Sequence, residues 1–485
     1  MAYEAIIGME VHAQIITQSK MFCGCSADYA AAPPNTHVCP ICLAMPGVLP
    51  VINHAAVEAT ILTGMALNCR IPEFTKFDRK NYPYPDLPKG YQISQFDYPL
   101  CVDGWMDVPT AEGGTRRIGI RRVHLEEDTA KLIHADGASL VDYNRSGVPL
   151  MEIVTEADMR SAEDAWHYLT RLRTILRYLG VSSGNMEEGA MRCEANVSVR
   201  PVGSEEFGTK VEIKNLNSFR SVRLAIAYEI ERQSRLLDEG GRVYQVTMGW
   251  DEERLRTVFQ RSKEGSADYR YFPEPDLPPL EFTPEDVDAI RARLPELPDA
   301  KRQRFMSEFG LRAEDAALLT EDRLVADYYE DAVRAAARGD AGVEPQMVAN
   351  WMLGEVFRLL REAGGDISAV KMTPDALAEL LGLVQKGVIN ATVGKEVLEE
   401  MFSTGESASA IVDRRGLKQI SDEDALAQVV RDVLEANPKP VQQYLDGKEA
   451  VFGFLVGQAM RATRGQANVQ VVRELLQTEL DRLRG

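Results

Sequence analysis

Two groups of residues near the start of the chain have the types and spacing to do chemistry. The first is "FCGCSADYAAAPPNTHVCPIC", which sets Cys23 and Cys25 one residue apart, then a spacer, then Cys39-Pro-Ile-Cys42. Two close thiolate pairs supply the tetrahedral sulfur shell that zinc favours. Four protein ligands leave no open coordination position, so the pattern predicts a structural site. The C-x-C pair makes the geometry irregular, and His37 in the spacer offers a substitute nitrogen. Disulfides are disfavoured in a reducing compartment. The second group is "IIGMEVHAQI", residues 6–15. A side-chain period of two puts Ile7, Met9, Val11, Ala13 and Ile15 on one face of a strand and Glu10, His12 and Gln14 on the other. A carboxylate, an imidazole and an amide then share a row with an apolar back.

More polar clusters follow. "KFDRKNYPYPDLPKGYQISQ" packs Lys76, Arg79, Lys80 and Lys89 among Tyr82, Tyr84 and Tyr91, with prolines that favour a fixed loop. Lys and Arg on a fixed loop suit phosphate binding. "RRVHLEEDTAK" adds His124, Glu126, Glu127 and Asp128 at the end of a basic alternating segment. "LMEIVTEAD" adds Glu152 and Glu156, "MEEGAMRCEANVSVRP" adds Arg192 and Glu194, and "VEIKNLNSFRSV" adds Glu212 and Lys214. Each run alone reads as a solvated face. Together, carboxylates with a few cations on strands point to a magnesium–nucleotide site, with Arg192, Glu194, Glu212 and Lys214 as candidates for holding the nucleotide. Neither a G-x-x-x-x-G-K-[ST] loop nor a helix-opening G-x-G-x-x-G is present, nor a G-x-S-x-G elbow. Cys193 has no visible histidine partner and reads as a buried structural thiol.

The elements that must position these residues divide the chain of 485 residues into several domains. Residues 1–292 mix strand and helix patterns irregularly, which predicts an α+β domain rather than regular βαβ units. "SAEDAWHYLTRLRTILRYLG" reads as an amphipathic helix opened by Ser161 and Asp164 and stopped by Gly180, with Trp166, Leu169, Leu172, Leu176 and Leu179 as its apolar stripe. "SFRSVRLAIAYEIERQSRLLDEGG" reads as a second helix. A proline-dense connector, "YFPEPDLPPLEFTPEDVDAIRARLPELPDAKRQR", cannot continue a helix or a central strand. Residues 293–408 and 409–485 are helical in pattern and predict a helical domain and a smaller helical tail. The formal net charge of −19 provides no global field for nucleic acid, so RNA contact must rely on local cations. In the tail, Arg461, Arg464 and Arg473 stand close together in one short stretch. The opening residues lack a basic and apolar leader pattern, and no apolar run is long enough to span a bilayer. A cytoplasmic protein without membrane attachment is expected.

Seven segments carry a resemblance: "GMEVHAQI", "KFDRKNYPYPDLPKGYQISQ", "HLEEDTAK", "NRSGVPLMEIVTEAD", "MEEGAMRCEANVSVRP", "EIKNLNSFRSV" and "DYRYFPEPDLPP". With "KQISDED", "GKEAVFGFLVGQAMRATRGQAN" and "VVRELLQTEL" from the tail, the chain resembles, over essentially its whole length, the B subunits of bacterial aspartyl/glutamyl-tRNA amidotransferases. Two positions depart from the pattern: Met248 and Gln260 stand where Arg and Met are usual. Some members of that family lack the four cysteines. The resemblance implies a cradle with a mainly antiparallel sheet, similar to glutamine synthetase and guanidino kinases, then a helical domain and a helical tail. It implies ATP-dependent phosphorylation of the side-chain carboxylate of Glu-tRNA(Gln) or Asp-tRNA(Asn), followed by amidation. The ammonia would come from a glutaminase A subunit, with a small C subunit completing the complex. On this reading Glu10 and His12 meet Glu126 or Glu127, and Glu10, His12 and Glu127 are expected to hold Mg²⁺. Lys80, Tyr82 and Glu152 complete the expected catalytic set, and Cys23, Cys25, Cys39 and Cys42 are expected to hold zinc. Arg461, Arg464 and Arg473 become candidate tRNA contacts. The rival from another class is a zinc-bearing scaffold that only presents tRNA to a second enzyme.

Overall fold

The structure is a computed structural model that describes residues 2–262, 269–418, 423–463, 465 and 467–484. It forms two compact units, Met1–Pro298 and Asp299–Gly485. The strands of the first unit are β1 (Tyr3–Gln14), β2 (Phe74–Thr75), β3 (Asp78–Asn81), β4 (Tyr91–Ser94), β5 (Cys101–Pro109), β6 (Thr115–Glu127), β7 (Lys131–Ala135) and β8 (Ala138–Asp142). They continue with β9 (Pro149–Thr155), β10 (Met191–Pro201), β11 (Val211–Leu216), β12 (Val246–Asp251), β13 (Arg256–Ser262), β14 (Phe272–Pro273) and β15 (Leu280–Glu281). Eight of them make one sheet in the order β13-β12-β11-β10-β1-β9-β6-β5. Every pairing in it is antiparallel except β11 with β12. The mixed α+β class with a large, mainly antiparallel sheet is the class expected from the sequence.

β1 lies inside the sheet, paired on one side with β10 and on the other with β9, and its residues alternate in burial. Ile7, Met9, Val11 and Ala13 are buried on one face, while Glu10, His12 and Gln14 are half-buried on the other. Each fully buried Ile, Met or Val side chain contributes roughly 1.5–3 kcal/mol, and a one-residue slip would exchange the two faces. Three helices supply the cover for the apolar face: α1 (His54–Ala66), α2 (Ala162–Leu179) and α3 (Phe219–Asp238). Ile61, Leu169, Leu172, Leu176 and Ile226 from these helices share one core with the strands. α2 starts where Ser161 Oγ accepts from the backbone N–H of Asp164 at 3.0 Å and ends at Gly180 in the left-handed region, φ 68°. The Asp164 carboxylate does not close a reciprocal box onto Ser161. It accepts from the backbone N–H of Arg160 at 2.9 Å and pairs with Arg116 at 3.0 Å. The proline-dense connector forms β14, β15 and the short helix α4 (Pro284–Arg291). Leu294 and Leu297 still pack against the first core.

The second unit is helical. α5 (Pro298–Glu308), α6 (Ala313–Leu319), α7 (Arg323–Arg338), α8 (Pro345–Trp351), α9 (Phe357–Ala363), α10 (Pro374–Gln385), α11 (Ala391–Thr404) and α12 (Ala408–Arg415) enclose one core. α13 (Glu423–Ala436), α14 (Pro438–Leu445), α15 (Phe452–Ala462) and α16 (Val469–Arg484) enclose another. Ala408, Ile411 and Val412 of α12 belong to the first of these two cores. Among the described residues, no helix is long and apolar enough to cross a membrane.

Candidate functional site

The polar face of the large sheet is built in rows. Strand register places Arg122, Val154, Glu10 and Glu194 across from one another on β6, β9, β1 and β10. The next row is His124, Glu152, His12 and Arg192. A third row holds Glu126, Leu150 and Gln14. Because successive same-face residues on a strand are two apart, Arg122, His124 and Glu126 follow one another along β6, as Glu10, His12 and Gln14 do along β1. Four separate sequence segments thus converge on one surface.

His12, Glu126 and Glu152 are the tightest group: one ligand atom from each lies within 4.8 Å of the others. His12 Nε2 is 3.5 Å from Glu126 and 3.8 Å from Glu152. His124 Nε2 approaches Glu152 at 3.1 Å. One imidazole and two carboxylates form an oxygen-rich donor set that suits a hard divalent cation. Burial pulls the His124 imidazole down, but the carboxylates of Glu152 and Glu126 outweigh it and hold its pKa above the ordinary value. Burial likewise opposes ionisation of Glu126 and Glu152, yet His124, His12 and Lys80 hold both carboxyls below the usual range. Burial also works against the Lys80 ammonium, and Glu126 and other nearby groups outweigh it, so Lys80 is kept charged.

Glu10 and Glu127, expected beside His12 in the magnesium set, lie outside this group. Glu10 sits one row along, where Asn196 Nδ2 donates to it at 3.2 Å. Burial first, and then the charges of Glu152 and Glu194, push its pKa up. Glu127 neighbours Glu126 in sequence, so the strand's alternation sends its side chain elsewhere. Its carboxylate binds Lys89 and accepts from the backbone N–H of Ile93 at 3.1 Å, which fastens the β3–β4 hairpin to β6. Glu152, rather than Glu127, lies with Glu126 beside His12.

Two cavities open over the face. One, of about 610 Å³, is lined by Glu10, His12, Lys80, Arg122, His124, Glu152, Glu194, Glu212 and Lys214, with Phe96, Tyr269 and Tyr271 along one wall. The other, of about 650 Å³, shares His12, Lys80, Glu194 and Lys214 and adds Tyr82, Glu126, Asp128 and Arg192. Lys214 donates to Glu194 at 2.6 Å, and Thr247 Oγ1 donates to Glu212 at 2.7 Å. Arg192 donates to Asp128 at 2.9 Å, and Gln14 Nε2 donates to the same carboxylate at 2.7 Å. Burial disfavours charge on Asp128, but Arg192, Arg145 and Gln14 keep its pKa low. Every catalytic or nucleotide-holding candidate except Glu127 therefore lies on one connected surface. Phe96, Tyr269, Arg122 and Arg261 also line it and were not singled out from sequence. Period-two alternation through "RRVHLEE" was the signal for Arg122; nothing local marks Phe96. Met248 turns into a small apolar cluster with Val211 and Val243. The Gln260 amide lies so close against Gly249 that a Cβ there would clash with its Nε2.

The four cysteines form a second site. The sulfurs of Cys23, Cys25, Cys39 and Cys42 lie within 4.8 Å of one another. His37 stands outside that group. Lys20, almost fully buried, donates to the carbonyls of His37 and Tyr143 at 2.8 and 3.2 Å and lies 3.7 Å from Cys42 Sγ. A hydrogen bond from Cys23, with help from Lys20, pulls the Cys42 thiol down to about 4, while burial and its sulfur neighbours push Cys25 up to about 11. Four sulfurs this close cannot all ionise without a cation among them, and a divalent ion that prefers thiolates fits the donor set. Cys193, by contrast, is buried, and burial pushes its thiol up to about 12.

In the tail, Arg461 on α15 and Arg473 on α16 are exposed, and the Arg473 guanidinium lies 5.7 Å from the Phe452 ring. Arg464 lies outside the described residues.

The sheet face gathers a trio of side chains whose donor set could hold a divalent cation, at the floor of a charged cleft. Residues 5–288 match the family model of the GatB/GatE catalytic domain, and residues 327–480 match that of the GatB domain. The chain is 56% identical over 485 residues to the aspartyl/glutamyl-tRNA(Asn/Gln) amidotransferase B subunit of Roseiflexus castenholzii, covering 99% of this chain and 100% of that protein. It is 55% identical over 484 residues to the corresponding B subunit of Herpetosiphon aurantiacus and 56% identical over 484 residues to that of Thermomicrobium roseum, each covering 99% of both chains. The chain belongs to the GatB family of amidotransferase B subunits.

Proposed function

We propose that this chain activates the side-chain carboxylate of glutamate on the glutamine tRNA, or of aspartate on the asparagine tRNA. ATP phosphorylates the carboxylate, and ammonia then displaces the phosphate to leave the amide. The ammonia is supplied by a glutaminase A subunit, and a small C subunit joins the complex. The observation that carries this reading is the row-built polar face, where His12, Glu126 and Glu152 converge within 4.8 Å. We assign those three side chains as the holders of Mg²⁺. When bound, a divalent cation neutralises charge on a phosphoryl group in transfer. Lys80, kept cationic beside Glu126 and Glu152, orients the acyl carboxylate or the phosphates, and Tyr82 lines the adjoining cavity. Arg192, Glu194, Glu212 and Lys214 bind and align the nucleotide, with Glu194 fixing the Lys214 ammonium. Glu10 tunes the field at the edge of the trio, and Glu127 holds the hairpin that carries Lys80. The four-cysteine lobe holds one Zn²⁺ in a structural role. The first unit is then a cradle of the glutamine synthetase and guanidino kinase type, and the protein works in the cytoplasm. A scaffold that merely presents tRNA has no need of convergent carboxylates above a cleft.

The test is amidation by the assembled complex with His12→Ala or Glu126→Gln in this chain. Removing a group that stabilises developing charge costs about 100- to 1000-fold. Amidation is expected to fall even when free ammonia replaces glutamine, while glutamine hydrolysis persists. Full recovery with ammonia would move these residues to ammonia delivery and overturn the assignment.

A further inference from the structure

The larger part of the first cavity is charged, yet one wall is aromatic. The Phe96 and Tyr271 rings stack with centroids 4.1 Å apart and planes 7° from parallel, and Tyr269 meets Tyr271 edge-on at 6.0 Å. Phe96 is 54% exposed. An exposed phenylalanine on a loose loop needs no explanation, but this one is pinned. Its backbone N–H donates to the buried Asp78 carboxylate at 3.1 Å. The preceding residue, Gln95, is buried; its Oε1 accepts from the backbone N–H groups of Leu100 and Leu125 at 3.3 and 3.1 Å, and its Nε2 donates to Thr75 at 2.7 Å. Leu125 directly precedes Glu126 on β6. The exposed ring is therefore fixed relative to the carboxylates of the site. A ring held in place with one face open is a preorganised stacking surface, because little side-chain freedom is lost on binding.

We propose that the Phe96–Tyr271 wall is a stacking platform for an adenine ring. This rests on the functional reading above, which brings two adenines to the cavity: that of ATP and that of the terminal adenosine bearing the amino acid on tRNA. Both are flat, uncharged and π-faced, and both carry phosphates that the cations of the same cavity can meet. Stacking on an aromatic side chain is tolerant of the rest of the ligand and is worth roughly tenfold or more in affinity per base.

The experiment reads equilibrium binding to the assembled complex, without catalysis. ATP is compared with inorganic tripolyphosphate, and tRNA ending in its 3′ adenosine is compared with the same tRNA lacking that nucleotide. The wild type is expected to prefer the adenine-bearing member of one pair by about tenfold. Phe96→Ala and Phe96→Leu should abolish that preference, and Phe96→Tyr should keep it. Because the ring is half-exposed and the loop is held through its backbone and Gln95, these variants retain the fold. Loss of preference in the ATP pair assigns the platform to the nucleotide; loss in the tRNA pair assigns it to the acceptor end. A wild type with no preference in either pair, or a preference that survives Phe96→Ala, overturns the platform. That failure is separate from failure of the functional reading, which is judged by amidation in His12→Ala and Glu126→Gln.

Discussion

The carboxylates of the sheet face and those of the helical unit resemble each other in sequence and differ in what surrounds them. Glu330 on α7 is nearly buried, and cations ring it. Arg304 of α5 grips both its oxygens at 2.9 Å, Arg334 donates at 2.5 Å, and Lys301 lies at 3.7 Å. Burial opposes its charge, but Arg304 and the other cations win, and its pKa is lowered. On the sheet face, burial raises the pKa of Glu10, and the charges of Glu152, Glu194 and Glu212 raise it further. The helical cluster is charge-compensated from within the chain; on the sheet face His124, His12 and Lys80 compensate Glu126 and Glu152, but at Glu10 burial and like charges outweigh His12. Structural ion-pair networks also perturb titration, so the sign of the imbalance and the open cavity separate the two, not burial alone.

That contrast can be broken with a matched pair of isosteres. Glu10→Gln removes a negative charge from a crowd of like charges, so the thermal midpoint of the chain should hold or rise, while amidation with free ammonia falls by about a hundredfold. Glu330→Gln should do the reverse: amidation stays within about twofold, and stability drops by about 1–2 kcal/mol, because three cations lose their shared buried carboxylate and keep only more exposed ones. The Glu330 contribution also has a pH signature. Its folded pKa lies below the unfolded value, so the stabilisation is present above about pH 4.5 and is lost as pH falls through the folded pKa. Urea titrations of both variants and the wild type, from pH 7 down to about pH 3, check this. Equal losses of stability in the two variants would erase the distinction.

How far the sequence carried this picture follows from which interactions are local. Alternation in "IIGMEVHAQI" revealed both faces of β1, since the period of a strand is intrinsic to the backbone. Ser161 and Gly180 marked both ends of α2 for the same reason: caps are settled within a few residues. Which carboxylates meet His12 is set by register between strands far apart in sequence. Period two in "RRVHLEE" puts Glu126, not Glu127, on the face of Arg122 and His124, but that this face meets His12 is decided by β9, where Glu152 pairs with both His124 and His12. Phe96 was invisible because its importance lies in a loop pinned by Gln95, whose partners Thr75 and Leu125 lie 20 and 30 residues away.

A smaller effect sharpens the comparison from the cysteine lobe. Its thiols are crowded like the sheet carboxylates, yet all four protein positions close around one centre, so the lost ion should be felt in folding and not in chemistry. Elemental analysis is expected to find one zinc per chain. Cys25→Ser should lose it and lower the thermal midpoint by about 5 °C, with the rate of amidation per folded molecule changed less than about threefold. An intact midpoint in a protein shown to have lost its zinc would end the structural role.

The smallest expected effect concerns the tail, where the charges stand exposed. The chain carries a formal charge of −19, so a polyanion such as tRNA gains nothing from its overall field and must find local cations. Arg461 and Arg473 are exposed on α15 and α16, elements whose buried sides share Leu455, Val472, Leu476 and Leu480. Their replacement leaves that core untouched. If both contact phosphate, Arg461→Gln with Arg473→Gln should weaken tRNA binding only a few-fold at moderate salt. The slope of log affinity against log salt should become shallower by about 1–2, since each lost contact releases fewer counterions. Deleting the tail is a blunter test, and α12 dictates where to cut. Ala408, Ile411 and Val412 are buried in the preceding core, so truncation after Ser409 would damage two cores, and truncation after Lys418 removes one. A salt slope unchanged by the double substitution would mark these arginines as an ordinary solvated face and return tRNA contact to the sheet unit.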